Sequence, residues 1–199
     1  ELGRPGEAVA SFRAAIALRP SHPESHYNLA NAQSSGGDFA AAEASYRRAL
    51  AIRPDYLEAR NNLGKLLQSL GRYDEALSCF DMAVRLAPEH GDVHYNRALL
   101  LLLVGRRAEG WAEHEWRWRS KSFPSPKRAF AQPLWDGRER LQSTLLVHAE
   151  QGFGDTIQFC RYAPLVAARG GRVILEVQKP LHELMSRISG VAEVVSRGD

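Results

Sequence analysis

Glycines stand at Gly3, Gly37, Gly71 and Gly105, each 34 residues after the last, and Pro20, Pro54 and Pro88 keep the same interval. Such a chain folds into units that stack on their neighbours, because one short unit cannot bury an apolar face alone. In step with the glycines come Ala8, Ala42 and Ala76, then Phe12, Tyr46 and Phe80, then Ala15, Ala49 and Ala83. The small residues let two antiparallel helices approach and the aromatic fills the gap between them. Glycine supplies the left-handed residue at a helix end, and proline punctuates the turn into the next unit.

This pattern resembles the tetratricopeptide repeat. The resemblance implies an α-solenoid of helical hairpins over residues 1–119: a half repeat, then three repeats, the last of them divergent and rich in Trp. It also implies a concave groove that takes a protein or an extended peptide. The chain opens at Glu1-Leu2-Gly3, already at the end of a first helix and without an initiator Met, which predicts a second helix over about 6–19 and an N-terminal truncation. Asn28, Asn62 and Asn96 keep the interval on successive first helices. They resemble the asparagine ladder of the O-linked N-acetylglucosamine transferases, which implies bidentate hydrogen bonds to a peptide backbone. Duplication of the units accounts for their recurrence equally well if each Asn bonds within its own helix pair.

Composition narrows the function classes. Lys plus Arg at 26 against Asp plus Glu at 23 leaves a net charge of +3, too small to argue for nucleic acid. The apolar run from Ala98 to Val104 is too short to cross a bilayer. Cys79 and Cys160 lie far apart with no second Cys nearby, which fits a reducing, cytoplasmic setting. His22 and His26 are four apart, but Pro23 stands between them and no further ligand is apparent, so no metal is expected.

The fourth unit leaves the pattern. Gly110, His114 and Arg117 take the places of the small residue, the aromatic and the second small residue, within a stretch that carries Trp111, Trp116 and Trp118. Trp111 and Trp118 share a face of one helix and Trp116 points elsewhere. That helix either joins the array to a further segment or caps its last repeat. Residues 120–143 follow, broken by Pro124, Pro126 and Pro133 and carrying Lys121, Lys127, Arg128, Arg138 and Arg140. They read as a basic linker pinned by Phe123, Phe130 and Trp135.

From Thr144 the period changes. Thr144–His148 reads as a buried strand, Asp155–Arg169 as a helix with Ile157, Tyr162, Leu165 and Val166 among its apolar positions, and Arg172–Val177 as a second strand. Pro180–Ile188 reads as a second helix and Val191–Val195 as a third strand. The order βαβαβ over residues 144–199 predicts a parallel, Rossmann-like sheet that holds about half of such a domain, with the C-terminus also cut. Between the first strand and its helix runs Glu150-Gln151-Gly152-Phe153-Gly154-Asp155-Thr156. It lacks the third glycine of a dinucleotide fingerprint and the Gly-Lys-Ser/Thr of a P-loop.

That whole segment resembles the opening of the acceptor-side domain of heptosyltransferase-type GT-B glycosyltransferases. It is closer still to bacterial proteins that join tetratricopeptide repeats to such a domain, with Gln132-Pro133-Leu134-Trp135-Asp136-Gly137 introducing the motif Glu150–Phe159. The resemblance implies an inverting, metal-independent transfer from a nucleotide-sugar, with Asp155 as the base that deprotonates the acceptor and Glu150, Gln151, Gly152, Gly154 and Thr156 as the acceptor loop. The donor-binding domain of that family has no counterpart here, so the fragment is expected to be inactive and to hold no cofactor. Asp155, with Gln158 three residues on, also fits a variant of the N-terminal capping box. The contrasting reading is a non-enzymatic adaptor with a degenerate Rossmann-like appendage.

Overall fold

The computed structural model describes residues 5–138 and 143–198, so Gly3, the opening Glu1-Leu2 and the linker's Arg140 lie outside the described residues. The chain divides into two compact units, Glu1–Pro124 and Ser125–Asp199.

The first unit is a succession of helices: α1 (Pro5–Leu18), α2 (Pro23–Ser35), α3 (Phe39–Ile52), α4 (Leu57–Ser69), α5 (Tyr73–Leu86), α6 (Gly91–Leu103) and α7 (Arg107–His114). Helix α1 packs against α2, and α2–α3, α4–α5 and α6–α7 are helical hairpins. The periodic glycines do what the spacing demands, with φ of 82°, 74° and 82° at Gly37, Gly71 and Gly105. Each lies in a closing turn of the same kind, sealed by amides of Asp38, Arg72 and Arg106 donating to the carbonyls of Gln33, Leu67 and Leu101 at 2.9 Å. The core runs through the hairpins, with Ala42, Ala49, Ala76, Phe80 and Ala83 at 0% exposure and Tyr46 at 3%. Phe80 needs its neighbour bare: a Cβ on Gly64 would lie 2.7 Å from its ring.

A second periodic device ties each hairpin to the turn before it. His26, Arg60 and His94, again 34 apart, donate to the carbonyls of Pro20, Pro54 and Pro88 at 2.9, 2.6 and 2.7 Å. His26 is therefore a turn clamp, and His22 bonds Ser25 at 2.9 Å. Between α3 and α5 a ring of charges closes, Arg47 and Arg72 each reaching both Glu43 and Glu75 at 2.6–3.1 Å.

The last hairpin corrects the single-helix reading of its second half. Helix α7 stops at His114 and the chain tightens into a 3₁₀ turn over Glu115–Arg119, so the three tryptophans do not share one α-helical lattice. Trp116 stacks on His94 with ring centroids 3.9 Å apart, and Trp118 meets Phe123 edge-on at 5.4 Å. These contacts cap the repeat. Gly110 replaces the usual alanine because Leu102 presses there, 2.8 Å from where a Cβ would stand.

In the second unit, β1 (Thr144–His148), β2 (Arg172–Val177) and β3 (Glu193–Ser196) form a parallel sheet in the order β1-β2-β3, with Thr144 opposite Arg172 and Ile174 opposite Glu193. The first two strands keep their expected bounds. The third begins two residues later than expected, since Ala192 is still turning in to bond Val173. Strand β1 is not buried: its residues are half-buried or exposed because it lies at the edge of the sheet. The long helix expected over 155–169 is broken into α8 (Phe153–Phe159), a 3₁₀ turn at Cys160–Tyr162 and α9 (Ala163–Ala167). Pro164 accounts for the break, as it lacks an N–H and restrains the residue before it. Ile157, Tyr162 and Leu165 are accordingly exposed rather than core. The helix expected over 180–188 shrinks to a 3₁₀ turn at Lys179–Leu181 followed by α10 (His182–Met185). The small core comprises Leu175, Val177, Leu181 and Met185.

Candidate functional site: the face of the first helices

Helices α2, α4 and α6 meet side by side through their amides, not through main chain. Asn62 donates to the Tyr27 hydroxyl and to Asn31 Oδ1, both at 3.2 Å, and Asn96 donates to Asn61 Oδ1 at 3.0 Å. This corrects the view that each Asn bonds within its own helix pair, because the bonds run from one unit's first helix to the preceding unit's. Asn28, the equivalent residue of α2, is half-buried. The Tyr46 hydroxyl joins this network by donating to Asn31 Oδ1 at 2.5 Å, and burial pushes its phenol up to about 12. A protonated hydroxyl is therefore a fixed donor at neutral pH.

Beside these amides lies an open cavity of about 360 Å³ lined by Asn31, Ser34 and Ser35 of α2, Tyr46 of α3, and Asn62, Lys65, Leu66 and Ser69 of α4. Its polar atoms are amides, hydroxyls and one ammonium. A cavity of about 420 Å³ lies on the other face, among Arg47, Arg60, Glu75 and Cys79, where burial pushes the Cys79 thiol up and away from the nucleophilic thiolate.

In the second unit the loop Glu150–Thr156 sits at the carboxyl end of β1. Gln178, just past β2, fixes it by donating to the Gln151 carbonyl at 2.6 Å and accepting from the Thr156 hydroxyl at 2.9 Å. Gly152 is the cap of α8, in extended conformation, and the Thr156 amide closes the first turn on its carbonyl at 3.2 Å. Asp155 is thus inside the first turn and exposed, which corrects its reading as the cap itself. A Cβ on Gly152 or Gly154 would meet nothing within 4 Å, so packing does not require glycine at either place. Glu150 offers its carbonyl to Ser125 Oγ at 3.2 Å. Arg128 makes a two-pronged pair with Glu176, a buried carboxylate within β2. Sequence reading passed over Gln178, Glu176, Arg60 and His94 and weighed His26 only as a metal ligand; for Glu176 a charge inside the apolar run Val-Ile-Leu-Glu-Val was the available signal. Among the described residues, no cluster of His, Cys, Asp or Glu stands together to hold a metal ion, and no helix is long and apolar enough to cross a membrane.

Family models described as tetratricopeptide repeat match residues 1–56 and 35–100, and the helical hairpins of this chain are tetratricopeptide repeats. Among solved structures, a crystal structure of MamA is 23% identical with a TM-score of 0.55, covering 58% of this chain and 67% of its own. A second MamA crystal structure gives 0.54 at 23% identity, with 58% and 63% covered. A MamA fragment from Desulfovibrio magneticus RS-1 gives 0.54 at 23%, with 57% and 64% covered. These likenesses are of fold, and the chain spans about two thirds of each structure's length. No curated protein matches the sequence.

Proposed function

We propose that the protein is an interaction scaffold whose repeats hold a polypeptide segment on the face of α2, α4 and α6. One observation carries this reading: the open cavity between α2 and α4, lined by Asn31, Ser34, Ser35, Asn62, Lys65 and Ser69 beside an amide network that spans the hairpins. An extended chain presents N–H and C=O groups at every residue, and amides and hydroxyls answer both. Asn62 and Asn96 act mainly by fixing the spacing of the helices, while Asn28, Asn31 and the serines face the segment. The test is a photo-crosslinking residue at Lys65 of α4 and, as control, at the exposed Ala51 of α3. Crosslinks to a defined segment of a protein partner from position 65 and not from 51 are expected; equal yields from both would refute the assignment of the face.

For the second unit the reading is the beginning of a GT-B acceptor-side Rossmann domain, supported by the parallel order β1-β2-β3 and by a glycine-containing loop at the carboxyl end of β1. Asp155 is exposed at the start of α8, where a carboxylate can reach an acceptor hydroxyl. In a protein that transfers sugar through this loop, Asp155→Asn is expected to lower the rate by about 10²-fold at unchanged melting temperature. Wild-type turnover by that variant would remove Asp155 from the chemistry.

A further inference from the structure

The face of the first helices is not uniform along the array. The cavity-lining positions Asn31 and Ser35 of α2 recur 34 residues later as Lys65 and Ser69 of α4, and again as Leu99 and Leu103 of α6. The first two pairs are polar. The third is apolar and open, Leu99 being 39% and Leu103 57% exposed. Two exposed leucines one helical turn apart, at positions that elsewhere carry Ser, Asn or Lys, are not explained by the packing of the hairpin.

Charge is as unevenly placed. Among the residues lining the cavity Lys65 alone is charged, and Asn31 accepts from both Tyr46 and Asn62 through Oδ1, so its NH₂ takes no part in those two bonds. The acidic residues of these helices stand in their first turns, at the other end. Glu24 is held by Arg53 and Asp92 by Ser120 and Ser122, while Glu58 lies two turns, about 10 Å, before Lys65. The cavity therefore offers donors and a cation, which suits a carboxylate, and the next unit offers an apolar shelf.

Resting on the scaffold reading above, we propose that the bound segment is an extended peptide with an acidic side chain opposite Lys65 and a large apolar side chain opposite Leu99 and Leu103. Packed helices lie about 8–10 Å apart, and an extended chain in the polyproline II conformation advances about 3.1 Å per residue with about three residues per turn, so two side chains on its one face fall about three residues apart. The chemistry is that of Glu-x-x-Leu or its reverse.

The test uses the whole chain and fluorescent ten-residue peptides in a polar host sequence, carrying Glu-x-x-Leu or Leu-x-x-Glu, with Glu replaced by Lys and Leu replaced by Ala as controls. Binding by anisotropy should be about fivefold or more tighter for Glu than for Lys. Lys65→Glu should invert that order, and the double change Leu99→Ser, Leu103→Ser should abolish the difference between Leu and Ala. All three positions are exposed or lie on the open face, and circular dichroism checks that the variants remain folded. An unchanged order in Lys65→Glu overturns the acidic assignment, and an unchanged Leu preference in the double variant overturns the apolar one. If no peptide binds, this chemistry fails, whereas crosslinking at position 65 still decides whether the face binds protein at all.

Discussion

In the repeats the gap-filling aromatics Tyr46 and Phe80 are 3% and 0% exposed, whereas in the second unit Phe153, Ile157, Phe159, Tyr162 and Leu165 are between 45% and 64% exposed. The repeats need only their sequence neighbours to bury such residues, because each helix meets the next across small side chains. A parallel sheet needs helices laid over both of its faces. Helices α8, α9 and α10 have seven, five and four residues, and around the break at Pro164 they leave large apolar side chains uncovered. Periodic sequence thus builds a local core, while the sheet's core depends on partners distant in the chain.

The contrast is broken most strongly from the repeat side. Phe80→Ala is expected to cost about 3–5 kcal/mol, since the ring is fully buried against Gly64, and Leu165→Ala only about 0.5 kcal/mol or less. Urea titrations followed by circular dichroism compare the two; similar losses would mean that α9 buries as much as α5. Within the sheet unit the sensitive point is polar. Glu176→Gln strands the Arg128 guanidinium and should cost about 3 kcal/mol, with the loss confined to hydrogen exchange of β1 and β2. Gly91→Ala comes next, at about 1–3 kcal/mol, because a Cβ there would stand 2.4 Å from the Arg119 carbonyl group. Tryptophan fluorescence reads it directly, as Trp116 sits on the same turn.

How much of this was legible follows the same division. The period placed Gly37, Gly71 and Gly105 in left-handed turns and Ala42, Tyr46 and Ala49 in the core, since each position repeats one physical requirement. The clamp residues His26, Arg60 and His94 share the period too, but they differ chemically and share only a donor, so a search for like residues misses them. The strands were readable from their apolar runs. The helices between them were not, because an amphipathic pattern continues through Pro164 while the backbone does not. Asp-Thr-Ile-Gln alone does not single out Asp155 as the cap, because Gly152, three residues before it, caps as well.

The smallest expected effect concerns acid. Burial raises the Glu43 carboxyl, but hydrogen bonds from Arg72 and Arg47 outweigh it and hold the group below its ordinary 4.5. A carboxylate depressed in the folded state adds stability that is full above its unfolded value and vanishes as pH falls through the folded one. Glu43→Gln should therefore cost up to about 1 kcal/mol at pH 7, where the arginines are partly solvated, and nothing below both values. Thermal melts from pH 7 down to pH 3 decide it; a constant difference across that range would show that the ring acts by packing.

Hydrogen exchange with and without the segment captured at position 65 addresses the scaffold most directly. The account predicts slowed exchange in the C-terminal halves of α2, α4 and α6, with α3, α5 and the three strands unchanged. Protection confined to α3 and α5, or to the strands, would contradict it.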